Sequence, residues 1–448
     1  MSQRGLLMQD GLAIHRHGAR KALPRRYIAA ATIGNALEFY DFLTYAFFAI
    51  QIGHALFPAQ SAYGSLMLSL GVFGSGFVTR PIGGLVIGAY SDRVGRRAAM
   101  ILSFAMIGVS IIAMALIPPY SMIGIAAPIL AIIARLVQGF SLGGEVGSNT
   151  AFLLEIAPVE QRGLTVSWQG ASQYGALMVG GAVGVILSAV LPHAALDAYG
   201  WRIAFLLGAV TLPFGLWLRH GLPETLHEAE PIAVAPLAGG SRWVLARGHW
   251  RVILIGLVVL ACATIGSYVL VYIGTYAQNT LHMSAASGFA AEAAGNLASV
   301  VAVLIGGWQS DRLGRWPVNV GWNLLFLATI YPTFYWLSTV RSEFALIVAV
   351  IVLSVGVAAA SGSFYAALCE SLPKTIRGAG FGTIYSFSIA AFGGTTQLVI
   401  TWLIHVTGNP LAPAWYLSGA TAIAQIALML LPESAPARLA RRAAASPA

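Results

Sequence analysis

The sequence predicts an all-α membrane protein with twelve transmembrane helices in two pseudo-symmetric six-helix bundles. Three observations carry this expectation. Of 448 residues, 58% are hydrophobic and 9% charged, with a mean hydropathy of +0.77, whereas a soluble domain carries about 25% charged residues. Twelve apolar segments are each long enough to cross a bilayer, which takes about 20 residues. Two loop motifs also recur at matching helix ends in the two halves.

The same composition excludes other classes. Gly is abundant but lacks the three-residue period of collagen, and the apolar content is far too high for disorder. Cys262 and Cys369 are isolated and distant, which suits neither a disulfide framework nor a zinc site. The net charge of +9 cannot build a nucleic-acid groove on so apolar a chain. No metal, cofactor or nucleic-acid partner is expected.

Taken in order, residues 1–27 form a basic N-terminal segment (Arg16, Arg20, Lys21, Arg25, Arg26). It lacks the short apolar core and cleavage site of a leader, so it reads as a cytoplasmic anchor. Spans are expected at 28–54, 62–90, 98–118, 124–153, 164–191 and 201–219, making a first bundle over 28–219. A linker over 220–250 follows, marked by Pro223, Glu224, Glu228, Pro231, Pro236 and Gly239. A second bundle over 251–431 holds spans at 251–279, 285–309, 316–338, 343–369, 378–405 and 412–431. Residues 432–448 form a tail. Arginines crowd alternate connections, among them Arg93, Arg96, Arg162, Arg219, Arg251, Arg312, Arg315 and Arg377. The other side holds only Arg202 and Arg341, so the positive-inside rule puts both termini in the cytoplasm.

The repeat begins with Gly88-Ala-Tyr-Ser-Asp92-Arg93-Val-Gly95-Arg96, after the second span. Its echo, Gly307-Trp-Gln-Ser-Asp311-Arg312-Leu-Gly314-Arg315, follows the eighth. Glu155-Ile-Ala-Pro158-Val-Glu-Gln-Arg162-Gly163 follows the fourth span, and Glu370-Ser-Leu-Pro373-Lys-Thr-Ile-Arg377-Gly378 the tenth. Paired six-helix halves suit a central site that alternates between two faces. Gly88 permits close backbone approach, and Asp92 and Asp311 can accept hydrogen bonds from a helix N-terminus or an arginine. Arg162 and Arg377 are candidate partners on the same side. Such clusters would hold a cytoplasmic gate shut. A second reading, in which the charges only set topology, covers the arginines but not Asp92, Glu155, Asp311 and Glu370.

Charges at helix centres cost about 2.5–3.5 kcal/mol each on insertion scales, so they are functional candidates. Six qualify: Glu38, Asp41, Arg80, Arg135, Glu145 and Glu292. At 1.5 Å per residue, Glu38, Asp41, Arg80 and Arg135 reach one level near the midplane. Asn35, Glu38, Asp41, Phe42 and Tyr45 share a stripe on the first span, and Arg135, Gln138 and Glu145 another on the fourth. Gln169 and Gln173 on the fifth span add amides, and Tyr365 and Tyr385 add phenols. Tyr268, Tyr272 and Tyr276 recur on the seventh, where packing is an equal alternative to lining. Arg80 and Arg135 then offer forks for a carboxylate. Alternatively, the arginines and carboxylates neutralise one another as structural ion pairs. Glu292, with Asn296 one turn on, is a further candidate for contact with a solute or a proton.

The repeated loop motifs resemble those of the major facilitator superfamily. Gly34-Asn35-Ala-Leu-Glu38-Phe-Tyr-Asp41-Phe42, Phe77-Val-Thr-Arg80-Pro81-Ile-Gly83-Gly84 and Arg135-Leu-Val-Gln138-Gly139-Phe-Ser-Leu-Gly143-Gly144-Glu145 are similar to its metabolite:proton symporter family. Phe73-Gly-Ser-Gly and Ser167-Trp168-Gln169-Gly-Ala-Ser172-Gln173 look most like the citrate and tricarballylate branch. The resemblance covers essentially the whole chain. It implies a monomeric carrier in a bacterial inner membrane, taking up an organic acid with a proton by alternating access and needing no cofactor. Substrate would meet Arg80, Arg135, Gln138, Tyr45, Gln169, Gln173 and Tyr365, and the proton Glu38, Asp41 or Glu145. Other cargo in the family includes 2-oxoglutarate, shikimate and the zwitterions proline and betaine. A solute sensor is a more distant alternative. No nucleophile, metal or phosphate-loop motif points to an enzyme.

Overall fold

The computed structural model describes residues 25–94, 96–143, 145–220, 248–373, 377–436 and 438–439. The expected linker and the terminal segments fall largely outside these residues. Among those described, all regular structure is helical.

Each expected span is found as one helix or a broken pair. The first is α1 (Arg25–Phe47) with α2 (Ala49–Leu56), and the second α3 (Ala62–Val78) with α4 (Arg80–Val94). The third is α5 (Arg96–Leu116), and the fourth α6 (Ala126–Leu142) with α7 (Glu145–Ile156). The fifth and sixth are α8 (Arg162–Val190) and α9 (Trp201–His220). In the second half, α10 (Trp250–Val271) with α11 (Ile273–Asn279) makes the seventh. Then come α12 (Ala285–Leu313), α13 (Arg315–Val340) and α14 (Glu343–Ser371). The eleventh is α15 (Arg377–Phe392) with α16 (Thr395–Thr407), and the twelfth α17 (Ala412–Met429).

The breaks have local causes. Pro81 lacks the N–H that would bond the Phe77 carbonyl four residues back, and the nearby Thr79 hydroxyl donates to the Leu136 carbonyl at 2.7 Å. The first helix of the fourth span ends at Leu142, ahead of Gly143, and Gly393-Gly394 interrupts the eleventh span. Six of the described helical stretches are long and apolar enough to cross a membrane on length and composition alone.

Small residues set the packing within each half. A methyl added at Gly139 would overlap the Gly76 carbonyl oxygen, and one at Gly306 that of Ala359. Spans two and four, and spans eight and ten, are therefore locked at backbone distance.

The halves meet chiefly along α8 and α12, both 29 residues long. Near the arginine-rich end Gly163 lies against Gly307, and toward the opposite end Gly181 and Gly184 lie against Ala293 and Phe289. The halves thus touch along the seam at both the arginine-rich end and the opposite one.

Candidate functional site

A small central cavity of about 80 Å³ lies between the halves. The first half contributes Phe39, Leu43, Gln173, Tyr174 and Leu177, and the second most of the polar wall, including Tyr268, Glu292, Asn296, Ser354, Tyr365 and Tyr385. Tyr174 faces Ser267 and Ser361 across the seam. Gln173 lines the cavity with Tyr385, and its Nε2 is buried without a hydrogen-bond partner among the described residues.

Beside this cavity lies a cationic chamber in the first half. The Arg80 and Arg135 guanidinium carbons stand 4.3 and 4.1 Å from the Phe42 ring centroid. Further rings surround them: Phe77 is 4.7 Å from Arg80, and Tyr45 and Phe73 are 4.9 and 5.0 Å from Arg135. A desolvated cation–π contact is worth about 2 kcal/mol, which offsets part of the cost of burying each charge. Arg135 donates to Gln138 Oε1 at 2.6 Å and to the carbonyls of Phe42 and Phe73 at 3.2 and 3.4 Å. Its Nε, and that of Arg80, are buried without a hydrogen-bond partner among the described residues. Arg80 is in electrostatic reach of Tyr268, Tyr385 and Glu38. Phe77 packs edge-on against Tyr268 at 5.4 Å, so an aromatic partition divides the chamber from the cavity.

Of the residues expected to meet substrate, Gln173 and Tyr365 line the cavity. Arg80, Arg135 and Gln138 form the chamber. Tyr45 is fully buried beside it and donates to the Ser69 carbonyl. Gln169 faces Thr150, whose hydroxyl donates to its Oε1, and does not line the cavity in this conformation. Glu38 is buried on α1. The side chains of Asp41 and Glu145 lie outside the described residues.

At the arginine-rich end, the second copy of the loop motif builds a charged knot. Asp311 accepts hydrogen bonds from the backbone N–H groups of Gly163 and Leu164 at 2.8 and 2.9 Å. An acidic residue of one half thus caps the first turn of α8 in the other, where the helix dipole favours negative charge. Arg315, 1% exposed at its side chain, donates to Asp311 at 2.7 Å and makes a two-bond fork to Glu370 at 3.1 Å each. Arg162 is within electrostatic reach of Glu370. Arg377 turns inward to its own half, donating to the Cys369 carbonyl at 2.7 Å. Arg312 lies over the Trp308 ring at 4.2 Å, and Glu155 is exposed. The side chains of Asp92, Arg93 and Arg96, and the surroundings of Gly88, lie outside the described residues.

The family model of the Major Facilitator Superfamily matches residues 31–395. The chain belongs to this superfamily. Among its relatives, a citrate-proton symporter from Salmonella typhi is 37% identical over 393 residues, covering 87% of this chain and 90% of the relative. A proline/betaine transporter from Escherichia coli (strain K12) is 31% identical over 434 residues, covering 92% and 84%. The fold is that of the xylose transporter XylE from E. coli in a partially occluded inward-open conformation. That match has a TM-score of 0.73 at 16% identity, covering 91% of this chain and 97% of that one. As a major facilitator, this chain is a multi-pass membrane transporter and not an enzyme.

Within the major facilitator frame, sequence reasoning missed two members of the knot. Glu433 accepts from the backbone N–H groups of Arg315 and Trp316 and from Arg438 at 3.1 Å, and Ser434 donates to Glu370. A signal was present. Leu431-Pro432-Glu433-Ser434 after the twelfth span repeats Leu222-Pro223-Glu224-Thr225 after the sixth. Tyr174 was missed for another reason, since it is one of several phenols on apolar helices and only the seam gives it partners.

Proposed function

We propose that the chain is a proton-coupled symporter that takes up citrate or a related di- or tricarboxylate by alternating access. It works as a monomer in a bacterial inner membrane with both termini in the cytoplasm. The observation that carries the reading is the pair of buried arginines sharing the Phe42 ring. Among the described residues, no acid lies within ion-pair distance of Arg135; its two terminal nitrogens meet carbonyls and one amide, and its Nε meets none. A solute carboxylate matches the guanidinium fork better than either. Gln173 and Tyr365 would hold the remainder of the solute from the cavity side, with Gln138, Tyr45 and Gln169 supporting the chamber.

Proton coupling follows from the same chamber. Glu38 attracts Arg80, so a proton on Glu38, or on Asp41 one turn further, frees Arg80 for the solute. Glu145 is the third carboxyl assigned to this path. The gate comprises Gly88, Asp92, Arg93, Arg96, Glu155 and Arg162 with Asp311, Arg312, Arg315, Glu370 and Arg377. It parts when the loaded carrier opens to the cytoplasm.

Proteoliposomes under an inward proton gradient test this with labelled citrate, tricarballylate, 2-oxoglutarate, proline and betaine. Citrate or tricarballylate should accumulate. Arg135→Gln should lower uptake at least about 100-fold, because two charge-assisted bonds at ~1.5–3 kcal/mol each are lost. Accumulation of proline or betaine alone would move the assignment to a zwitterion carrier, the class named in the 31% identical relative. No gradient-driven accumulation of any of these solutes would overturn the reading.

A further inference from the structure

Glu292 has no role in the chamber or the gate, yet it is buried in the cavity wall with 3% of its surface exposed. It sits two turns into α12. Its Oε1 accepts a hydrogen bond from the backbone N–H of Gly274 at 3.2 Å. That N–H lies just past Tyr272, where the seventh span breaks between α10 and α11. Gly274 is also a close approach: a Cβ there would meet the Glu292 carboxyl. The carboxyl group therefore rests directly on the bend of span seven.

The other oxygen faces no partner. Oε2 is buried without a hydrogen bond among the described residues, and no described Lys, Arg or His lies within ion-pair distance. The titratable groups lining the same cavity are phenols: Tyr268 from α10, Tyr174 from α8, Tyr365 from α14 and Tyr385 from α15. No titratable side chain of α11 joins them in that lining. A buried carboxylate with one oxygen unpaired and no cation is expensive, whereas a carboxyl group carrying hydrogen on Oε2 has no charge to desolvate.

We propose that Glu292 is a second proton-carrying site of the transport cycle, linked to the bend at Gly274. In this conformation Oε2 bears the proton while Oε1 holds the Gly274 N–H. When span seven moves and the cavity admits water from the arginine-rich end, the Oε2–H bond breaks and the proton leaves to that water. The carboxylate left behind is hydrated until the empty carrier returns and a proton from the opposite side re-forms the bond. Each turnover then moves one proton more than the carboxyls of the first span alone would carry. This rests on the symporter reading above.

The test compares wild type, Glu292→Gln and Glu292→Asp in proteoliposomes with the membrane potential clamped at zero. The slope of log accumulation ratio against imposed pH difference reports protons per solute, using whichever solute of the panel the wild type accumulates. Glu292→Gln keeps an oxygen for the Gly274 N–H but cannot release a proton. Its slope should fall by one, and Glu292→Asp should restore the slope. An unchanged slope in the Gln variant overturns the proposal, as does loss of counterflow together with uptake, which would make Glu292 a solute or packing contact. Should the wild type accumulate none of the panel, the symporter reading fails and this inference with it. Wild-type accumulation with an unaltered Gln slope defeats the inference alone.

Discussion

At the two ends of the molecule the halves are joined by different chemistry. At the arginine-rich end, Asp311 of the second half caps α8 of the first and is itself held by Arg315, which forks to Glu370. At the opposite end the seam contains packed surfaces. Gly184 lies under the Phe289 ring, Gly74 meets Gly394 backbone to backbone, and Tyr63 stacks on His405 with ring centroids 3.8 Å apart. Hydrogen bonds to charged groups are directional and fail over a short displacement, whereas apolar packing yields gradually. The first set of contacts has the make-up of a latch and the second that of a wedge.

Breaking the latch should give the largest effect. In Asp311→Asn one acceptor oxygen becomes an NH₂ group facing a donor, so about two charge-assisted bonds at ~1.5–3 kcal/mol each are at stake. The population open at the arginine-rich end should rise by at least about tenfold. Spin-label distances between the Arg162 end of α8 and the Leu313 end of α12 would show it. An unchanged distance distribution would mean that Asp311 only orients the loop.

Forcing the wedge comes second. Gly184→Leu drives a side chain into Phe289, and overpacking of this kind costs ~1–3 kcal/mol. It should hold the opposite end open and slow counterflow about tenfold, with a cysteine placed at Ala293 becoming accessible to an impermeant thiol reagent. Protection of that cysteine at the wild-type level would contradict the packing account.

The smallest effect belongs to the rim. Tyr63→Ala removes one aromatic stack worth ~0.5–1.5 kcal/mol, so counterflow should change by no more than about tenfold. A larger change would give Tyr63 a part in the path of the solute.

How far each feature could be read ahead of the fold depends on how local its cause is. The apolar segments and Pro81 mark their own helices and break, because a span needs only its own residues to be apolar and a proline needs only its own ring. Asp311 and Arg315 could be singled out because the motif occurs twice. Their partners were harder, since the target of Asp311 is a pair of backbone N–H groups, which no side-chain pattern announces. The interior was less legible still. Tyr45 and Gln169 share a helical stripe with residues near the arginines, yet each points to a neighbour, Ser69 or Thr150, rather than into the cavity. Glu292, set apart from the other intramembrane charges, turned out to stand in the cavity wall.

The sequence by itself determined the number of spans, the basic end, the duplication and the set of charges inside the membrane. Each depends on composition or spacing along one stretch of chain. Only the tertiary structure decided which charges meet: Arg80 and Arg135 on one phenyl ring, Asp311 on a helix of the other half, Glu292 on the bend of span seven. Helical periodicity gives a residue's angle relative to its own helix. The rotation of one helix against another is set by where glycines let backbones touch, and that is a property of pairs.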